Sequence, residues 1–134
     1  MENGAKASAD SLGLKLQIFT GKDHDDYTSQ VTAIESLIAA GAKGIAITPA
    51  DPKAIAPTLQ KARDAGILVI ALDTPPDPID SVDHSYLTDN RLAGKLIGQW
   101  AKGHLGNEAA TAKVALLDAF AAPITVDYMR DQGF

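Results

Sequence analysis

The chain of 134 residues contains no cysteine, and Phe, Tyr and Trp together account for only 5% of it. The absence of cysteine excludes a disulfide framework and any thiol chemistry within this sequence. The longest continuous apolar run, 66–72, is far too short to cross a bilayer, which takes about 20 apolar residues. We therefore predict one domain at most, large enough to bury a single core.

Basic residues are also scarce. The 12 Lys and Arg residues are outnumbered by 17 Asp and Glu residues, the formal net charge is −5, and no basic stripe is visible. Because a nucleic-acid groove needs clustered Lys and Arg to displace counterions, we predict no nucleic-acid partner.

Sequence signatures of enzymes and metal sites are absent as well. No glycine-rich dinucleotide or P-loop motif follows a strand-like run, and no serine stands in a nucleophile elbow. His24 has acidic neighbours at Asp23, Asp25 and Asp26, but adjacent carboxylates lack the spacing that folds ligands around an ion. We predict no enzymatic activity, no metal site and no cofactor.

The sequence does contain a repeated stop signal. Gly13, Gly41, Gly66 and Gly106 each end a helical pattern, and a strand-like run follows each of them. Glycine just past a helix end accepts the left-handed conformation that closes the last turn. Strands alternating with helices of this length predict an α/β fold with parallel pairing through crossover connections. In such a sheet, ligands bind at the carboxyl ends of the strands.

Periodicity and caps predict the individual elements. Asp51 is predicted to cap the third helix, with Pro52 at its first position and Pro57 as a source of strain inside it. Four apolar residues of the fourth helix are predicted to face the core, namely Leu92, Leu96, Ile97 and Trp100. The predicted helices are 2–12, 27–40, 52–65, 89–105 and 125–134, and the predicted strands are 14–19, 44–48, 67–72 and 114–117.

Polar side chains concentrate where the predicted strands lead into helices. A carboxylate accepts hydrogen bonds from two hydroxyl groups and a guanidinium donates to two oxygens. An Asp and an Arg that converge on one crevice therefore suit a neutral sugar or polyol. The residues in question are Asp73 and Thr74 after the strand 67–72, Asp89 and Asn90 at the start of the fourth helix, Asp118 after the last strand, and Asp127 and Arg130 on the fifth helix.

These residues also have purely structural interpretations. Asp73 suits a turn that bonds nearby amides before the following proline pair. Asp89 and Asn90 suit a helix cap and an amide that fixes the loop. Arg130 suits a solvated position on a helix surface. Composition and spacing leave both kinds of interpretation open.

A family resemblance favours the binding interpretation. The chain carries TP.D at 48–51, LD at 72–73, TDN at 88–90 and R..GF at 130–134. In combination, and over nearly the whole chain, these motifs resemble the type I periplasmic sugar-binding proteins of ABC transporters, especially the ribose- and fructose-binding group. The resemblance implies a Rossmann-like parallel sheet flanked by helices, as in a type I periplasmic-binding-protein lobe.

The resemblance also implies that residues 1–134 are a partial amino-terminal lobe of a two-lobed solute-binding protein. The first strand of that lobe, with a ligand-contacting loop, and the whole second lobe would then lie outside this chain. The missing strand would leave two unpaired edges in mid-sheet, at 14–19 and 44–48, and such edges invite aggregation. We expect the isolated chain to be poorly soluble or oligomeric, and the full-length protein to be monomeric.

The resemblance assigns roles to the polar residues by position. Asp73 matches the aspartate that binds sugar hydroxyls in that family, and Arg130 matches an arginine that contacts sugar. Thr74 stands where ribose binders carry arginine, which argues against ribose itself. Asp127 lies near a further contact position, and Asp89 and Asn90 complete the predicted ligand set. Few aromatic rings are available to cover the apolar face of a sugar: Tyr27, Tyr86 and Phe120.

The implied function is capture of a monosaccharide or polyol and its delivery to the membrane subunits of an ABC importer. The two lobes would close around the ligand in the periplasm, after export directed by a signal peptide upstream of this chain. The alternative is the effector-binding domain of a LacI-type transcriptional regulator, which shares the fold and a similar pocket. A signal peptide upstream would favour the receptor, and a helix-turn-helix would favour the regulator.

Overall fold

The computed structural model describes residues 1–23, 26–118 and 125–134, which form two compact units, Met1–Ser85 and Tyr86–Phe134. The helices are α1 (Glu2–Leu12), α2 (Tyr27–Ala39), α3 (Ala56–Asp64), α4 (Asn90–Leu105) and α5 (Thr125–Gly133). The strands are β1 (Gly44–Ile47), β2 (Leu68–Leu72) and β3 (His84–Tyr86). Within the described residues, no helix combines the length and apolarity needed to traverse a bilayer.

The first unit is built around a parallel strand pair, as predicted. β1 and β2 are aligned from the Gly44–Leu68 pair to the Ile47–Ala71 pair, and β3 lies on the other side of β2. Alternate residues of β1 and β2 are buried, as the two-residue period of a strand requires. The core combines these residues with the inner faces of α2 and α3 and consists of Ile34, Ile45, Ile47, Ile55, Leu59, Ala62, Ile67, Val69, Ala71 and Val82.

The four predicted helix stops are confirmed. Gly13, Gly41, Gly66 and Gly106 have φ angles of 65°, 70°, 79° and 52°. Glycine adopts a positive φ at little cost because it has no Cβ atom. Gly13 closes α1 in the left-handed αL conformation, whereas Gly106, with a ψ angle of −122°, ends α4 in a different one.

Two helices begin at aspartate caps. The Asp26 carboxylate accepts hydrogen bonds from the backbone N–H groups of Lys22, at 2.9 Å, and Ser29, at 3.1 Å. These bonds, the one from Lys22 first, lower the pKa of Asp26 from 3.8 to about 2. Asp89 accepts from the backbone N–H of Leu92 at 2.9 Å and so begins α4. The predicted boundaries of α2 and α4 are therefore confirmed to within one residue.

The third helix begins later than predicted. α3 starts at Ala56, so the prediction of a start at Pro52 is wrong. Asp51 caps a separate turn instead, since its Oδ1 accepts from the backbone N–H groups of Lys53 and Ala54, both at 2.9 Å. Pro57 consequently falls in the first turn of α3, where its missing N–H would have no intrahelical partner anyway. The predicted strain of an interior proline does not arise.

Two predicted strands, 14–19 and 114–117, do not belong to the sheet, so these two predictions are wrong for the structure. The first segment alternates and the second is continuously apolar, but a strand also needs a neighbouring backbone to exchange hydrogen bonds with. Neither segment is paired in a sheet with another part of the chain that the structure describes. The strand β3 was not predicted, because its three residues are too few to show a period.

In the second unit, α4 and α5 pack at very short range. A Cβ atom added at Gly94 would collide with the backbone carbonyl group of Arg130. One added at Gly133 would collide in the same way with the carbonyl group of Arg91. These glycines therefore allow the two helix backbones to approach each other directly.

The apolar stripe of α4 is exposed, so the prediction that it is buried is wrong. The exposed fractions are 48% for Leu92, 57% for Leu96, 52% for Ile97 and 64% for Trp100. Trp100 stacks on His104, with ring centroids 5.2 Å apart and ring planes 9° from parallel. Periodicity identifies an apolar face but not its neighbour, and α5 packs against the glycines of α4 instead of covering this stripe.

Candidate functional site

The carboxyl ends of β1 and β2 lie at the same edge of the sheet because the two strands are parallel. β1 ends at Ile47 and leads into Thr48, and β2 ends at Leu72 and leads into Asp73. The Asp73 side chain is exposed and Thr74 is half-buried. The predicted position of these two residues, where the strand gives way to a loop, is confirmed.

Asp73 has an unusual backbone conformation. Its φ angle is +65°, and it is the only residue other than glycine with a positive φ in the part of the chain that the structure describes. The backbone N–H of Thr74 donates to the carbonyl of Leu72 at 2.7 Å, which closes a γ-turn around Asp73. Such a conformation costs about 1–3 kcal/mol for a residue with a Cβ atom and is concentrated at functional sites.

A hydrogen bond joins the loops that follow β1 and β2. The backbone N–H of Asp77 donates to the carbonyl of Pro52 at 2.9 Å. The side chains of Lys53 and Asp77 form a solvent-exposed ion pair at 3.7 Å between the same loops. Pro76, just before Asp77, is buried. The turn that carries Asp73 is thus held at β2 on one side and against the β1 loop on the other.

Gln30 binds the loop after β1, a role that was not predicted from the sequence. Its Nε2 donates to the carbonyl of Thr48 at 2.8 Å, and its Oε1 accepts from the backbone N–H of Ala50 at 3.0 Å. A signal for this role does exist in the sequence. Gln30 precedes Ile34 and Ile38 at intervals of four residues, so it is a polar residue on the buried stripe of α2.

An aspartate and an arginine brace the far end of the β2–β3 connection. The Asp83 carboxylate accepts from the backbone N–H of Val69 at 2.8 Å and from Nε of Arg63 at 2.9 Å. Arg63 also donates to the carbonyl of Asp80 at 2.6 Å. The bond from Val69, followed by the contact with Arg63, holds the pKa of Asp83 below its ordinary value. This arrangement joins α3 to β2 and to the connection that carries Asp73.

The start of α4 contains the next two predicted ligands. Asp89 is the helix cap, and its Oδ1 accepts from Leu92. Asn90 is 3% exposed, and its Nδ2 donates to the carbonyl of Thr88 at 3.2 Å. Among the described residues, no group hydrogen-bonds the buried Oδ1 of Asn90. The observed bonds are those of a cap and a loop-fixing amide, and direct ligation by either residue stays a prediction.

Arg130 lies on the exposed side of α5. It borders a cavity of about 310 Å³ together with Ala93, Gly94, Ile97, Leu116, Asp131 and Phe134. Asp127 is half-buried one turn before it. Asp118 is close enough to Asp131 and Asp127 for their charges to matter: partial desolvation, and then these two carboxylates, raise its pKa.

The predicted ligands are divided between the two units. Asp73 and Thr74 belong to Met1–Ser85, and Asp89, Asn90, Asp127 and Arg130 belong to Tyr86–Phe134. Their convergence on one cleft therefore stays a prediction. The predictions that concern His24, Asp25 and Phe120 fall outside the described residues. Within the described residues, no group of three or more His, Cys, Asp or Glu side chains is arranged to hold a metal ion.

Comparison with curated proteins gives matches to sugar-binding proteins. The D-ribose/D-allose-binding protein of Pseudomonas aeruginosa is 34% identical over 107 residues, which cover 75% of this chain and 34% of that protein. The galactofuranose-binding protein of Escherichia coli is 34% identical over 137 residues, which cover 98% of this chain and 41% of that protein. The chain thus spans less than half the length of these relatives.

Solved structures give the same fold. The periplasmic sugar-binding protein of an ABC sugar transporter from Legionella pneumophila has a TM-score of 0.78 at 34% identity, with 98% of this chain and 47% of that chain covered. An ABC transporter, LacI family transcriptional regulator, from Brachyspira murdochii has a TM-score of 0.80 at 22% identity, with 99% and 44% covered. The second likeness concerns the fold alone.

The resemblance noted in the sequence is thereby confirmed, along with the α/β fold of a type I periplasmic binding protein. The sequence profile described as "Periplasmic binding protein domain" matches residues 1–134, which is the whole chain. This chain belongs to the periplasmic binding protein domain family.

Proposed function

We propose that this protein is a solute-binding receptor that captures a monosaccharide or polyol for an ABC importer. The observation that carries the proposal is the position and backbone conformation of Asp73. An exposed carboxylate stands on a strained γ-turn at the carboxyl end of β2, a parallel strand with alternate residues buried, where ligands bind in open α/β sheets. Glycine would occupy this turn at lower cost, which supports a role for the carboxylate itself.

A carboxylate suits a sugar because it accepts hydrogen bonds from two neighbouring hydroxyl groups. We assign this role to Asp73, with Thr74 beside it as a neutral hydroxyl partner. Arg130 is the complementary donor, and Asp127, Asp89 and Asn90 are the remaining members of the proposed ligand set. The names of the relatives support this class of ligand, since they specify ribose, allose and galactofuranose.

The proposed mechanism is hinge closure of two lobes around the sugar in the periplasm, with the closed form recognised by the membrane subunits of the importer. A ligand shifts such an equilibrium only by as much as it binds the closed form better than the open form. Contacts to both lobes provide that difference. A net charge of −5 gives no support to a nucleic-acid partner.

Calorimetry on the product of the complete gene, with D-ribose, D-allose and D-galactose, tests the proposal. We expect Asp73→Ala to weaken binding about 100-fold, the effect of losing hydrogen bonds to a charged group. Asp64→Ala removes an exposed carboxylate from α3 and is the matched control, with unchanged affinity expected. Wild-type affinity in Asp73→Ala would reject the site.

A second variant separates loss of binding from loss of folding. Asp73→Gly removes the carboxylate, and glycine adopts a φ of +65° without strain. We expect it to unfold at the wild-type temperature or above it and still to bind sugar about 100-fold more weakly. Conversion of any of the three sugars to a product by the wild-type protein would contradict the receptor function and indicate an enzyme.

A further inference from the structure

Gln30 is the residue outside the proposed ligand set that is best placed to act on it. Its amide bonds the backbone on both sides of Pro49, through the carbonyl of Thr48 at 2.8 Å and the N–H of Ala50 at 3.0 Å. In a parallel ladder, one residue bonds the carbonyl before and the N–H after the residue it faces. The Gln30 side chain thus takes the place of a strand residue at the end of β1.

The segment bound by Gln30 continues directly into the contact with the Asp73 turn. Asp51 caps the turn that follows Ala50, and Pro52 accepts the hydrogen bond from Asp77 at 2.9 Å. Only three residues separate Asp77 from Asp73. On its other side, Asp73 is fixed by the γ-turn at the end of β2. A displacement of the β1 loop therefore reaches the Asp73 turn through this backbone hydrogen bond and the exposed Lys53–Asp77 ion pair.

We propose that Gln30 is a positioning residue, which fixes the turn that carries Asp73 by holding the loop after β1. Its relevance to sugar rests on the proposed function, whereas its effect on the turn does not. Both polar atoms of the side chain bond backbone groups of the loop, through one N–H of Nε2 and one lone pair of Oε1. Its contribution to binding is pre-organisation of the Asp73 carboxylate.

The test uses Gln30→Leu, which keeps the approximate size of the side chain and removes both hydrogen bonds. Gln60→Leu is the matched control, because Gln60 also uses its amide, but on the exposed surface of α3 toward Asp64. Its oxygen also accepts from Arg63 at 3.4 Å, but Arg63 keeps its shorter bonds to Asp83 and Asp80 in the variant. We expect Gln30→Leu to move the backbone amide signals of Asp73, Thr74 and Asp77 in a proton–nitrogen NMR spectrum. We expect Gln60→Leu to leave these signals in place.

Sugar affinity is measured on the same samples with D-ribose, D-allose and D-galactose, far below the unfolding temperature. We expect Gln30→Leu to weaken binding about tenfold, an effect that a role in stability alone would not produce in a folded sample. Should Gln30→Leu fail to fold, Gln30→Glu replaces it, because it retains the bond from Ala50 and loses only the donation to Thr48.

The outcomes separate this proposal from the proposed function. A folded Gln30 variant whose amide signals at 73, 74 and 77 coincide with those of the wild type would overturn the positioning role. Moved signals with unchanged sugar affinity would overturn its relevance to binding. If the wild type binds none of the three sugars, the proposed function fails, and the amide signals alone still decide whether Gln30 fixes the turn.

Discussion

Each of the two units of the chain is stabilised internally by a different kind of interaction. Every buried apolar side chain found in the described residues lies in Met1–Ser85. In the described part of Tyr86–Phe134, the buried residues are Asn90 and Gly94, neither of which has an apolar side chain. The first unit therefore depends on hydrophobic burial and the second on close backbone packing. Identical substitutions should consequently have opposite or unequal effects in the two units.

The largest difference is expected for leucines. Leu59 is fully buried in the first unit, whereas Leu96 is 57% exposed on α4. We expect Leu59→Ala to lower the free energy of unfolding by about 2–5 kcal/mol, since it removes buried methyl groups and leaves a cavity. Leu96→Ala should change it by less than about 0.5 kcal/mol. Urea denaturation of both variants measures the contrast, and equal losses would show that both leucines belong to one core.

The second unit, although insensitive to the leucine substitution, should be sensitive to the substitution of a glycine at the contact between α4 and α5. Gly94 and Gly103 both lie in α4, but a Cβ atom at Gly94 would collide with the backbone of Arg130, while one at Gly103 would meet open space. We expect Gly94→Ala to destabilise the second unit by about 1–3 kcal/mol through overpacking. Gly103→Ala should stabilise α4 by up to about 1 kcal/mol, because alanine favours a helix.

Hydrogen exchange resolved by residue measures these two changes where they occur. Faster exchange throughout α5 is expected for Gly94→Ala, because α5 would be displaced from α4, and slower exchange in α4 is expected for Gly103→Ala. If the amides of α5 exchanged as slowly in Gly94→Ala as in the wild type, close backbone packing would not be the interaction that stabilises the second unit.

Local chemistry explains which parts of the fold could be predicted from the sequence. The helix stop at Gly66 and the cap at Asp89 depend on a few neighbouring residues, and both are confirmed. The segments 14–19 and 114–117 have strand-like apolar patterns, but pairing depends on a distant backbone that no local pattern encodes. The Gly94–Gly98 spacing of four residues did offer a sign of close helix packing, since it places two glycines on one face.

The candidate site was predictable in the same limited way. Its place at the end of β2 follows from the apolar run before Asp73, which is a local feature. The γ-turn at Asp73 was not predictable, because aspartate seldom adopts this backbone angle. The helical spacing marks Gln30 as a polar residue on the buried face of α2, but not its partners Thr48 and Ala50, which lie 18 and 20 residues away. The arrangement of Asp73 relative to Arg130 depends on both units and stays a prediction.

The smallest expected difference between the units is their response to acid. Asp26, in the first unit, has a pKa lowered from 3.8 to about 2 by the N–H groups it accepts from at the start of α2. Its contribution to stability is present above pH 3.8 and is lost as the pH falls toward 2. Asp118, in the second unit, has a pKa raised by desolvation and by Asp131 and Asp127. Its contribution is present below its unfolded pKa and is lost as the pH rises through its folded pKa.

Acidification from pH 5 to about 3 should therefore loosen α2 slightly while relieving repulsion around Asp118. Hydrogen exchange at several pH values, corrected for the intrinsic rate, is expected to show faster opening of α2 and unchanged or slower opening of α5. Asp26→Asn should flatten the first response and Asp118→Asn the second, each without changing the other. If Asp118→Asn also altered the acid response of α2, the two units would be energetically coupled and would not open independently of each other.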